Sequence, residues 1–104
     1  MRTIAIAVGM ILGLVAGTAA AQGASDNVKR QCRNVADNTA RQIVGARNSR
    51  VDPATAVRRV ADTWLEGVQA HMLLAASRAD HLSESELASI GYSYCVERRP
   101  TDVR

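Results

Sequence analysis

Two cysteines, and only two, govern how this chain can fold. Cys32 and Cys95 stand near opposite ends of everything that follows an apolar N-terminal run. If they are joined, nearly the whole remaining chain becomes one closed loop, and its two ends must meet. In chain-entropy terms such a bond stabilises the fold by about 4 kcal/mol. That is as much as a core this small supplies by itself, roughly 3–5 kcal/mol. A redox-active pair takes the Cys-x-x-Cys form, and neither cysteine has such a neighbour. The expectation is a structural disulfide, against two free thiols or a bridge between chains. The compartment decides between them, because thiols stay reduced in the cytosol and pair after export.

The N-terminus points to export. Arg2 is the only charge before Asp26, and the residues from Ile4 to Ala16 are apolar throughout. Small residues follow, with Ala19 and Ala21 at the spacing that signal peptidase accepts. A basic start, a short apolar centre and an Ala-x-Ala end define a secretory signal peptide. Residues 1–21 are read as that peptide, with cleavage between Ala21 and Gln22. A spanning helix needs about 20 apolar residues. This run is shorter and contains Gly9 and Gly13, so no stable membrane anchor is expected after cleavage. The protein should then reside in the periplasm, or be fully secreted. The 47% hydrophobic content of the 104 residues thus mixes a discarded address with an alanine-rich single domain, residues 22–104.

That domain reads as all-α. Helix propensity and apolar spacing predict helices over about 26–47, 53–79 and 84–98. The first has Ser25 or Asp26 as N-cap and one face of Val28, Cys32, Val35, Ala36, Thr39, Ile43 and Ala46. The second opens at Asp52-Pro53, a cap followed by the residue favoured at the first helical position. Its stripe runs through Val57, Val60, Ala61, Trp64, Leu65, Val68, Met72, Ala75 and Ala79, with Gly67 as a place where it could bend or divide. The third begins with a capping box at Ser83 and Glu86, with Leu82 and Leu87 placed for a hydrophobic staple. At about 1.5 Å rise per residue, an up–down–up course returns Cys95 to the level of Cys32. The expected architecture is a small three-helix bundle stapled by one disulfide, or four helices if the second is broken at Gly67.

Sites for chemistry are sparse. His71 and His81 are the only imidazoles. Ten residues apart, they do not share a helix face, and a zinc site wants several ligands at close spacing. His71 is read as a half-buried packing residue and His81 as a solvated loop residue. No catalytic residue, metal site or cofactor is assigned, and the chain is not expected to be an enzyme. The charges are interleaved rather than gathered: Arg33 with Asp37, Asp37 with Arg41 and Arg58 with Asp62 have ion-pair spacing on a helix. Nucleic-acid binding would need a clustered basic patch, so no nucleic-acid partner is expected. The last helix carries a second apolar row, Ala88, Tyr92 and Val96, beyond its core face. With Leu73 on the helix before it, this row marks a candidate partner-binding or self-association surface, since contiguous apolar patches mark interfaces.

Taken with the signal peptide, Cys32, the Ala36–Ile43 spacing, Leu82 through Glu86, and Tyr94-Cys95 resemble the small exported two-cysteine helical proteins of Gram-negative bacteria. The layout is also similar to periplasmic acid-stress chaperones and to helical immunity proteins that neutralise toxins. The resemblance implies an exported helical bundle, and the second apolar row of the last helix adds the expectation of a protein-interaction module. Its partner would be another envelope protein or a second copy of itself, the latter making it a self-associating structural component.

Overall fold

The computed structural model describes residues 23–103. The signal-peptide reading and the Ala21–Gln22 cleavage lie outside them. The described chain is all-helical, with four helices: α1 (Asp26–Asn48), α2 (Pro53–Ala56), α3 (Thr63–Arg78) and α4 (Glu84–Glu97). One disulfide joins Cys32 to Cys95, with their Cα atoms 5.5 Å apart.

Helix α1 starts where a side chain can satisfy its free amides. Ser25 Oγ accepts from the Val28 N–H at 3.1 Å. Its buried face is Val28, Cys32, Val35, Ala36, Thr39, Ala40, Ile43 and Ala46, a stripe at helical spacing. It ends in a six-to-one closure: the Val51 N–H reaches Ala46 C=O at 2.9 Å and the Arg50 N–H reaches Arg47 C=O at 3.1 Å. Arg50 takes the left-handed φ of 58° that this closure requires.

The expected single helix over 53–79 is two helices, and the break is not at Gly67. Helix α2 is capped by Asp52, whose Oδ1 accepts from the Ala54 N–H at 3.0 Å, but it lasts only four residues. Between Val57 (ψ 124°) and Asp62 (ψ 123°) the chain leaves the helix, with bends at Val57 and Ala61 on either side of residues 58–60. Val57 remains buried, whereas Val60 and Ala61, expected in the apolar stripe, face solvent. Two side-chain effects outweigh the periodicity. Asp62 Oδ1 accepts from the Leu65 N–H at 2.9 Å and starts a new helix. Upstream, glutamine amides take the backbone groups that a helix would have paired internally.

Gln69 is central to that arrangement. It is 2% exposed, and a buried amide must find partners. Its Nε2 donates to Arg58 C=O at 2.8 Å and to Thr39 Oγ1 at 3.2 Å. Its Oε1 accepts from the Val60 N–H at 3.0 Å. Gln42 Oε1 accepts from the Arg58 N–H at 2.8 Å. The non-helical segment is thereby fastened to α1 and α3 together.

This segment also changes the course of the chain. The Arg47 guanidinium, near the end of α1, donates to the carbonyls of Leu82 and Ala79, just beyond the end of α3. At the other end, Trp64 Nε1 donates to Cys95 C=O at 3.0 Å, beside the bond to Cys32. Helices α1 and α3 therefore run in the same direction and α4 runs against both, which corrects the up–down–up course. An extended residue advances about 3.3 Å against 1.5 Å in a helix. Residues 57–62, partly extended, thus return the chain farther than six helical residues would.

Helix α4 packs between α1 and α3, and its capping box is complete. The Glu86 N–H donates to Ser83 Oγ at 3.1 Å, and the Ser83 N–H donates to Glu86 Oε1 at 2.9 Å. Leu87, Gly91, Cys95 and Val96 form its buried face. Closest approach is at Gly91, where an added Cβ would overlap the Met72 thioether and stand 3.2 Å from Ala36 Cβ. Gly67, by contrast, sits mid-helix with nothing within 4 Å of an added Cβ. Gly67→Ala should therefore raise stability in urea by about 1 kcal/mol, the helix-propensity gain. Gly91→Ala should lower it by about 1–3 kcal/mol through overpacking. A neutral Gly91→Ala would show that the three helices do not meet that closely.

Candidate interaction surfaces

An open groove of about 620 Å³ lies between α1 and α4. Arg33, Asp37 and Arg41 line it from successive turns of α1, and Ser85, Ala88, Ser89 and Tyr92 line it from α4. The Arg33 guanidinium lies 5.1 Å from the centre of the Tyr92 ring, a cation–π contact that holds the arginine over the aromatic floor. Arg41 donates to Asn38 Oδ1 at 3.0 Å, so it is tied to an amide on its own helix rather than held in the expected pairing with Asp37. Glu84 closes the end of the groove nearest the α3–α4 turn. The surface is thus mixed in charge, with one half-buried ring and a small residue at its centre.

A second hollow of about 330 Å³ opens between the end of α1, α2 and α3. Leu73 and Ala76 form one wall and Pro53 and Ala54 the other, with Asp52, Asp80 and Arg47 around them. The nearby Leu74 is 48% exposed.

These positions divide the expected partner surface. Ala88 and Tyr92 share the α1–α4 groove, Leu73 belongs to the second hollow, and Val96 belongs to neither. At 2% exposure Val96 is part of the core and is not available to a partner. The wide apolar arc of α4 has a packing cause, since this helix buries one flank on α1 and the other on α3. The Arg58–Asp62 pairing is also lost, because the non-helical chain removes the helix face on which they would meet.

His71 is a packing residue in this structure. Its ring stacks on Tyr94, centroid to centroid 3.9 Å and nearly parallel at 11°, and Arg98 lies 4.9 Å from the same ring centre. His81 is exposed in the α3–α4 turn. Among the described residues no group of three or more His, Cys, Asp or Glu is placed to hold a metal ion. No described helix is long and apolar enough to cross a membrane.

Sequence reasoning missed Gln42, Gln69 and Arg47. Gln69 carried a readable signal: it lies four residues after Leu65 and three before Met72, within the apolar stripe, where a polar side chain needs a buried partner. Asp62-Thr63 followed by Glu66 was a second helix-start signal hidden inside the same stripe. Arg47 gave no such sign.

The Ser83 backbone N–H, then the Ser83 hydroxyl, hold the Glu86 carboxyl below its usual value near 4.5. A depressed carboxylate adds stability above its unfolded value and loses it as pH falls through its folded one. Protection of the first-turn amides of α4, taken relative to their intrinsic exchange rates, should therefore fall as pH drops below the ordinary carboxylate range. Glu86→Gln should show lower protection there that does not change across this pH range; an equal fall of protection with pH in the variant would remove Glu86 from the account.

Compared with known proteins, the chain matches no family model, no curated protein and no solved structure.

Proposed function

We propose that this chain is an exported protein-interaction module of the bacterial envelope, released into the periplasm by removal of residues 1–21. The observation that carries this reading is the α1–α4 groove, where Tyr92 and Ala88 lie between alternating charges. A half-buried aromatic ring beneath an arginine is the kind of anchor that concentrates binding energy at protein interfaces. Alternating charge around it suits a polypeptide better than a uniformly anionic nucleic acid. The disulfide is compatible with an oxidising compartment. A single globular protein segment laid along the groove would cover Tyr92 and pair with Arg33 and Asp37. This agrees with the resemblance to small exported two-cysteine helical proteins. It does not require self-association, because Val96 is core and the apolar row on α4 is interrupted.

The test compares capture from a periplasmic extract by the oxidised chain and by Tyr92→Glu. The wild type should retain a defined protein, and the variant should lose at least tenfold of it while keeping its melting temperature. Equal retention by both, or no specific retention by the wild type, would contradict the groove as a contact surface.

A further inference from the structure

We propose that residues 58–60, held between bends at Val57 and Ala61, form a short preformed strand edge that binds an extended acidic peptide by backbone pairing. This rests on the reading of the chain as a protein-interaction module, and it places a second contact away from the α1–α4 groove.

In an extended chain the N–H and C=O of one residue point to the same side, and those of the next residue point to the other. The inner side here is occupied. Arg58 gives its N–H to Gln42 and receives Gln69 Nε2 at its C=O, each at 2.8 Å. Val60 gives its N–H to Gln69 Oε1 at 3.0 Å. The Gln69 amide thus presents one donor and one acceptor to residues two apart, the pair that a neighbouring strand would present. The outer side is open. Arg59 makes no backbone hydrogen bond among the described residues, and residues 58–61 are all exposed.

Unpaired edges of this kind template the addition of another strand, a recurrent mode of peptide recognition. Because the glutamines already fasten Arg58 and Val60, a peptide does not have to order them. Charge identifies the occupant. Arg58 and Arg59 stand side by side on the edge, while Asp62 is engaged as the α3 cap. A second copy pairing antiparallel about Arg59 would set like charges opposite each other, which disfavours it. Acidic side chains on the incoming strand would be matched instead.

The experiment uses the oxidised chain labelled for amide NMR and the blocked peptide Glu-Val-Glu-Val-Glu. The peptide should shift the amides of Val57–Asp62, and the basic counterpart Lys-Val-Lys-Val-Lys should bind at least tenfold more weakly. Arg59→Pro removes the outward N–H while favouring extended backbone at residues 58 and 59, so it should weaken the acidic peptide at least tenfold with an unchanged melting temperature. If that variant is unstable, an acidic peptide N-methylated at both valines makes the same test on the wild-type protein. Tyr92→Glu should bind the peptide as the wild type does. Absence of shifts over Val57–Asp62 at millimolar peptide would overturn the edge and leave the arginines as guards against pairing. So would equal binding by the basic or the N-methylated peptide. Either result leaves groove-dependent capture standing, so the two readings fail separately.

Discussion

The Cys32–Cys95 bond sets the height at which the long helices of the described chain meet. It joins the second turn of α1 to the last turn of α4, with both cysteines fully buried. The same level also recruits α3. Trp64 donates its indole N–H to Cys95 C=O, one of the final carbonyls of α4 that has no partner within the helix. One covalent bond and one hydrogen bond therefore fix three helices at a single height. At the opposite end Arg47 performs a related task, donating to carbonyls at the end of α3 and in the turn to α4. Between these two ties the core is made of small and medium side chains. That explains why Gly91 is needed where Met72 and Ala36 come closest.

The parallel course of α1 and α3 follows from the chain between them. Parallel neighbours require a crossover, and here it is the one-turn helix α2 followed by a bent, non-helical stretch. Its backbone is not paired with another strand but with the amides of Gln42 and Gln69, and Gln69 also reaches Thr39 in the interior. A polar cluster inside an alanine-rich core is costly unless every member is satisfied, and no buried side-chain polar atom lacks a partner among the described residues. The cluster therefore fixes the register of α3 against α1, a task that apolar contacts between small residues perform poorly. It also exposes a stretch of backbone on which the proposed strand edge depends.

Local chemistry was legible in the sequence, and topology was not. Ser25, Asp52-Pro53 and the Ser83–Glu86 box each act within one turn of chain, and each marks the helix start that the residues imply. Cys32, Ala36 and Ile43 were legible as a buried face because α1 keeps one period from end to end. The stripe from Val57 to Met72 misled for a physical reason: apolar spacing cannot distinguish a helix from a chain whose polar side chains capture its backbone. The expected level of Cys95 agrees with the bond, but by a different path, since a few partly extended residues replace helical ones. Val96 shows the same limit at the candidate surface. A wide apolar arc reads as an interface until a neighbour on each flank is known.

What these observations support is a small helical module whose proposed contact surfaces are held by side chains rather than by a large core. The groove under Arg33 and the edge beside Gln69 both hang on helices positioned by the disulfide. The most direct measurement is urea denaturation of the oxidised chain from Gln22 beside its Cys32→Ala/Cys95→Ala variant. The account predicts that the variant loses about 4 kcal/mol or more, leaving little or no folded population. A variant whose stability stays within about 1 kcal/mol of the oxidised chain would contradict the central role given to this bond.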